Sequence, residues 1–128
     1  MTNYLDTSVA VAVLEGSMSA REWFKEAVAG RGVVSSRLLQ TELTRVLRRQ
    51  ERPVQERELL LRYVDVAPLT DAVLSIAEAI PQHLRSLDAI HLATALQLGS
   101  AVTVVSHDSQ MLAVAQDLGL AICDPLSS

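Results

Sequence analysis

The chain predicts an α/β fold, a mostly parallel sheet flanked by helices, and its patterning carries that prediction. Clusters of Val, Leu and Ile of strand length alternate with longer segments of helical period, as βαβ units require. Of the 128 residues, 49% are apolar and 20% charged, a balance that suits one compact domain over 1–128 and argues against disorder. Trp23, Phe24, Tyr4 and Tyr63 are the only aromatics, so the core is aliphatic.

The elements follow in order. A strand at 2–6 leads into a helix at 7–15, and a second helix at 19–29 stops at the turn punctuated by Gly30 and Gly32. A strand at 33–35 precedes a helix at 36–51, which Pro53 must end or interrupt because proline lacks the amide proton and clashes with the preceding turn. Another helix is expected at 54–63. Residues 64–68, Val-Asp-Val-Ala-Pro, read as a strand closed by proline, and Thr70 or Asp71 caps a helix running to 79. Pro81 closes that segment. Ser86 suits the cap of a helix at 87–98, with Gly99 past its end as the left-handed stop. A strand at 102–105, a helix at 109–118 followed by Gly119, and a strand at 120–123 complete the chain. Trp23 and Phe24 are adjacent on one helix and cannot both point inward, which leaves one for a dimer or partner surface.

Composition excludes several classes. No apolar run approaches the ~20 residues needed to cross a bilayer, and the N-terminus lacks the basic start of a signal peptide, so a cytoplasmic protein without membrane contact is expected. The lone Cys123 has no cysteine partner for a disulfide or a zinc pattern and reads as a small core residue. The net charge of −4 is matched by four acids, Asp6, Glu42, Asp88 and Asp108, so the rest of the surface is near neutral. Acids gathered in one cleft are neutralised by divalent metal, and the total alone does not exclude a nucleic-acid partner.

Those acids stand at junctions. Asp6 and Asp108 each follow an apolar strand, and ligands of open parallel sheets bind beyond the carboxyl ends of strands. Asp88 opens a helix with no other formal charge before Gly99, a helix that must be largely buried; the helix dipole favours its carboxylate by ~0.3 to 1 kcal/mol. Alone, it reads equally well as an ordinary N-terminal helix charge. On the helix around Glu42, Leu39, Leu43, Val46 and Leu47 form the apolar face, while Arg45, Arg48, Arg49 and Arg52 form a basic stripe, extended by Arg57 and Arg62. Glu42 lies on the border between the faces. Alone, it reads as a surface acid paired with Arg45 or Arg49, worth ~0.2 to 0.5 kcal/mol.

As a set, the four offer hard oxygen ligands, which select Mg²⁺ or Mn²⁺ over zinc. Two such ions ~3.5 to 4 Å apart activate a water and stabilise the leaving oxygen of an in-line displacement. The hydroxyls of Thr7, Ser8 and Ser106 are placed to orient the carboxylates, or to serve only as caps. His91, one turn beyond Asp88, reads as a satisfied core histidine. Asp65 and Asp124 are set aside as a strand acid and a terminal acid.

Leu5-Asp6-Thr7-Ser8, Glu42 in its Leu-rich helix, Leu87-Asp88-Ala89-Ile90-His91-Leu92-Ala93 and Ser106-His107-Asp108 resemble the four signatures of PIN-domain ribonucleases. The chain is similar in particular to the VapC toxins of bacterial toxin-antitoxin pairs, along nearly its whole length. The resemblance implies a PIN-like three-layer α/β/α architecture, Mg²⁺- or Mn²⁺-dependent hydrolysis of single-stranded RNA, inhibition by a VapB antitoxin and a homodimer. It also implies catalytic and metal-binding roles for Asp6, Glu42, Asp88 and Asp108. The last signature commonly reads Thr-x-Asp with an aromatic nearby; here Ser106 keeps the hydroxyl and Met111 follows.

The arginine stripe is the candidate RNA contact, since guanidinium forks match phosphate geometry, although Glu51, Glu56 and Glu58 dilute it. Few aromatics means no evident platform for stacking bases. The competing readings are a housekeeping PIN-domain RNA-processing nuclease and a Mg²⁺-binding receiver-like signalling domain. The receiver reading is disfavoured: Asp6 has no acidic neighbour, and the only lysine is Lys25.

Overall fold

The computed structural model describes residues 2–127; Met1 and Ser128, the ends of the expected domain, lie outside the described residues. Among the described residues, strands β1 (Thr2–Leu5), β2 (Val33–Ser36), β3 (Asp65–Ala67), β4 (Val102–Val105) and β5 (Ala121–Cys123) form one sheet. Its order is β3-β2-β1-β4-β5, and every pairing is parallel. The helices are α1 (Thr7–Leu14), α2 (Met18–Ala29), α3 (Arg37–Arg49), α4 (Glu58–Leu61), α5 (Asp71–Ala79), α6 (Ser86–Leu98) and α7 (Ser109–Asp117).

Side-chain alternation along β1 and β4 sorts the helices into two layers. Leu5 and Val105 point into a core shared with α1, α2, α3 and α4. Their neighbours Tyr4 and Val104, with Val102, point into a second core under α6 and α7, where Leu92, Met111 and Val114 pack. Apolar residues on both faces are what a parallel strand between helices needs. The expected three-layer α/β/α arrangement is therefore the observed one. None of the described helices is long and apolar enough to cross a membrane.

This topology positions the site. The chain leaves β1 toward β2 and β3, then returns to lay β4 on the other side of β1. The strand order thus reverses between β1 and β4, and the crevice at their carboxyl ends is the usual ligand site of such sheets. Asp6 follows β1 directly, and Ser106 follows β4.

Several boundaries differ from expectation, each for a local reason. Helix α3 ends at Arg49, because Glu51 takes a left-handed φ of 54° and the Arg52 amide returns to the Leu47 carbonyl at 2.9 Å. The expected helix at 54–63 is a 3₁₀ turn, Val54–Arg57, followed by the single turn of α4. There the Tyr63 and Val64 amides bond back only three residues, to Leu60 and Leu61, tightening the chain so that Val64 enters the core before β3. Thr70 caps α5 as expected, accepting from the Val73 amide at 3.2 Å. Ser86 does not cap α6: it is the first helical residue, and Arg85 holds the cap position with its side chain turned to acids instead. Of the adjacent aromatics, Phe24 is buried, and Trp23 packs half-buried at the margin of the same core.

Candidate active site

The site begins at the ends of β1 and β4. Ser8 and Ser106 each donate a hydroxyl to Asp6 Oδ2 at 2.8 Å, and Asp6 is only 4% exposed, so its carboxylate is held rigidly. The same hydroxyl oxygens accept from backbone: Ser8 from His107 N at 2.9 Å and Ser106 from Asp108 N at 3.0 Å. Two serines thereby lock the β1 and β4 termini together. Asp108 splits its two oxygens. Oδ1 caps α7, accepting from the Gln110 and Met111 amides at 3.0 and 3.2 Å, while Oδ2 faces Arg85 at 3.3 Å.

Glu42 reaches the same crevice from α3. Its Oε1 accepts from Thr7 Oγ1 at 2.6 Å and pairs with His91 Nε2, also at 2.6 Å. The other ring nitrogen, His91 Nδ1, meets the Tyr4 hydroxyl at 2.7 Å, so a buried chain runs Tyr4, His91, Glu42. An ionised Glu42 only accepts, which puts a proton on Nε2; the Tyr4 hydroxyl partners Nδ1, donating to it where the ring is neutral and accepting from it where the ring is charged. Burial pushes the Glu42 carboxyl up, but the hydrogen bond and charge of His91 and the Thr7 hydroxyl outweigh it and leave Glu42 below its ordinary value.

Asp88 completes the set from the first turn of α6. Arg85 Nε donates to its Oδ2 at 3.0 Å. Burial raises the Asp88 carboxyl above its ordinary value despite Arg85, and the charges of Asp6 and Asp108 add to the rise. The four acids line one cleft of about 550 Å³, with Thr7 and Ser8 beside Asp6 and with Arg45, Arg49 and Arg85 on its walls. Leu38, Val46 and Leu87 supply its apolar lining.

The structure divides the arginine stripe. Arg45 and Arg49 line the cleft, whereas Arg48 is exposed and does not. Arg52 turns the other way, tied to Glu56 at 2.7 Å and to the Leu14 carbonyl at 3.0 Å, so it is occupied in holding α1 to the chain beyond α3. Arg57 bonds Thr44 at 2.6 Å. Two residues of the site went unassigned in the sequence. His91 is buried, as a core histidine should be, yet it also orients Glu42; its place one turn after Asp88 was the available signal. Arg85 carried a similar signal, three residues before Asp88. Asp124 pairs with His107 Nδ1 at 3.0 Å and does not line the cleft.

Among the described residues, no three acid, histidine or cysteine side chains close into a finished metal cage. The donor set nonetheless fits Mg²⁺ or Mn²⁺, which are held by one or two carboxylates with water and substrate phosphate completing the shell. The cleft is wide enough for those partners, and the guanidinium of Arg85 already stands as a cation between Asp88 and Asp108.

A family model described as PIN domain matches residues 4–117. The chain is 35% identical over 130 residues to Ribonuclease VapC47 of Mycobacterium tuberculosis (strain CDC 1551 / Oshkosh), covering 95% of this chain and 96% of that protein. It is also 35% identical over 127 residues to Ribonuclease VapC46 of Mycobacterium tuberculosis (strain ATCC 25618 / H37Rv), with the same coverage of 95% and 96%. Its fold is similar to that in a toxin-antitoxin complex from Klebsiella pneumoniae, with a TM-score of 0.78, 17% identity and coverage of 99% and 100%. VapBC2 from Rickettsia felis bound to a promoter DNA fragment superposes equally well, at a TM-score of 0.78 with 11% identity and coverage of 97% and 98%. With its signatures gathered in one cleft and a family match over most of its length, this chain belongs to the PIN domain family.

Proposed function

We propose that this protein is the toxin of a toxin-antitoxin pair: a divalent-metal-dependent endoribonuclease that hydrolyses single-stranded RNA and is restrained by a VapB-type antitoxin. The observation that carries this reading is the convergence of Asp6, Glu42, Asp88 and Asp108, from four separate segments, on one cleft walled by arginines. The 35% identity, over nearly the full length, to ribonucleases named VapC supports it.

Asp6, Asp88 and Asp108, with Glu42 beside them, would hold Mg²⁺ or Mn²⁺, which supplies activation of a water and charge stabilisation of the leaving oxygen. The chain's own residues do the rest. Ser8 and Ser106 keep Asp6 in place, so no reorganisation is needed when substrate arrives. Glu42, held ionised and oriented by His91 and Thr7, would complete the set of acids facing the ion. Arg45 and Arg49 bind backbone phosphates and orient the strand without reading its bases. Arg48, exposed one turn along α3 from Arg45, would extend that path.

The antitoxin's seat is the apolar groove of about 270 Å³ lined by Val13 and Leu14 of α1, Phe24 of α2 and Leu59 of α4, where Leu59 is 64% exposed. Arg21 and Lys25 at the groove suit a partner segment carrying acids. A homodimer acting in the cytoplasm, where the RNA is, completes the reading.

The test is cleavage of single-stranded RNA by purified protein with Mg²⁺ or Mn²⁺, beside growth arrest in cells. Asp6→Asn keeps the shape and an oxygen for the serines but removes the charge. It is expected to abolish both cleavage and arrest. Protein that cuts no RNA with either ion, together with an Asp6→Asn variant that arrests growth as strongly as wild type, refutes the assignment.

A further inference from the structure

Arg85 is not explained by the fold. Its side chain is 79% exposed, so it contributes little packing, yet its guanidinium reaches two of the four acids. Nε donates to Asp88 Oδ2 at 3.0 Å and Nη2 to Asp108 Oδ2 at 3.3 Å. The second contact spans 23 residues of sequence and joins the start of α6 to the start of α7. Which oxygens it takes is informative. Asp108 Oδ1 is committed to the amides that open α7, and Asp6 Oδ2 to two serine hydroxyls. The oxygen of Asp108 not committed to a cap is therefore the one that Arg85 holds.

A divalent ion held by Asp88 and Asp108 would draw on the Asp108 oxygen that Arg85 occupies and would meet the guanidinium's charge beside Asp88, so the ion and the guanidinium compete. Because Arg85 is anchored only at its exposed tip, releasing it breaks no core contact. Once released, it remains at a cleft wall shared with Arg45 and Arg49, and a planar fork freed from carboxylates is suited to a phosphate. We propose that Arg85 is a resident counter-ion that exchanges partners: it bridges Asp88 and Asp108 until a divalent cation takes their oxygens, and then binds a backbone phosphate of the RNA. This deepens the metal-dependent nuclease reading and rests on it.

The exchange demands opposite effects from one substitution. Arg85→Gln removes the competitor, so Mn²⁺ binds more tightly; it also removes a phosphate contact, so RNA binds more weakly. A merely structural role would weaken both. The experiment is calorimetric titration of the full chain with MnCl₂, and fluorescence anisotropy of a cleavage-resistant 2′-O-methyl single-stranded RNA at saturating Mn²⁺. The Mn²⁺ dissociation constant is expected to fall about three- to tenfold and that for RNA to rise about tenfold, as for loss of one charge-assisted contact. Arg85→Lys, which keeps the charge without the fork, is expected to lie between. Wild-type protein that takes up no Mn²⁺ overturns the metal reading and the exchange with it. Wild type that binds Mn²⁺ while Arg85→Gln binds it no more tightly, or binds the RNA as well as before, overturns the exchange alone.

Discussion

Tyr4→Phe removes a single oxygen from the buried chain that ends on Glu42 and leaves the ring in its core. Tyr4 is fully buried, and its hydroxyl lies 2.7 Å from His91 Nδ1, within a core of Leu92, Val104 and Met111. Burial raises the Tyr4 phenol well above its ordinary value, so it remains a donor throughout the working range. Without that hydroxyl, His91 Nδ1 is a buried nitrogen with no partner. Losing the net bond and leaving the ring nitrogen unsatisfied together cost about 1 to 3 kcal/mol. For a domain of this length, each kcal/mol moves the melting temperature by about 3 to 6 °C, so a fall of about 3 to 18 °C is expected in a calorimetric or circular-dichroism melt at neutral pH. Cleavage should fall as well, because a His91 ring without a fixed tautomer holds Glu42 less firmly. Loss of a hydrogen-bond partner behind a metal ligand lowers activity by about 10- to 100-fold, which sets the scale for His91→Ala and an upper bound for Tyr4→Phe. In a double-mutant cycle, Tyr4→Phe and His91→Gln should couple by more than about 0.5 kcal/mol. A Tyr4→Phe protein that melts within about 1 °C of wild type, or a cycle that is additive within error, refutes the chain as a cooperative unit.

Three further expectations concern charge and surface. The Asp88 carboxyl is raised on folding, so the folded state binds its proton more readily than the unfolded chain; its stabilising contribution is present below the ordinary carboxylate value and lost as pH rises through the higher folded value. In EDTA, Asp88→Asn is therefore expected to gain on wild type as pH rises from about 4 toward neutrality, and parallel melting curves across that window would contradict the crowding of Asp6, Asp88 and Asp108. Glu42 has the opposite sign: its contribution is present above the ordinary value and lost as pH falls through the depressed folded value, so Glu42→Gln should flatten only the acid limb. Leu59→Arg, at a side chain 64% exposed, should leave RNA cleavage and melting temperature unchanged while weakening antitoxin binding at least tenfold, as for loss of an interface anchor. Undiminished antitoxin capture by this variant would move the seat elsewhere.

The sheet and most helices were readable because their signals are local. Val102–Val105 and the apolar run before Asp6 end where two acids begin, so the crevice could be placed from strand ends alone. Thr70 behaves as its position in the sequence implies. The misread boundaries lack a local mark: Glu51 adopts the left-handed conformation that a glycine would have announced, and the break after Pro53 is set by the burial of Leu60 and Val64. The site shows the same division. Residue type and helical period placed Glu42 on a border, but only packing brings His91 Nε2 to it from α6. Arg45, Arg48, Arg49 and Arg52 look alike in sequence, and what separates them is where α1 and the turn before α4 come to rest against α3. The second contact of Arg85 depends on a residue 23 positions away, which no local pattern encodes.

The placement of β4 beside β1 also sets an order of events during synthesis. Every side chain named in the groove of Val13, Leu14, Phe24 and Leu59 is synthesised before Arg85, Asp88, Ser106 and Asp108. Until β4 is available, β1 has no neighbour on that side, and Asp6 lacks the Ser106 hydroxyl that holds it. A nascent chain thus displays the groove's side chains while its set of acids is still incomplete. The cleft is completed only once β4 and Asp108 have emerged, whereas the contact residues for a partner proposed to sit on α1, α2 and α4 are synthesised earlier.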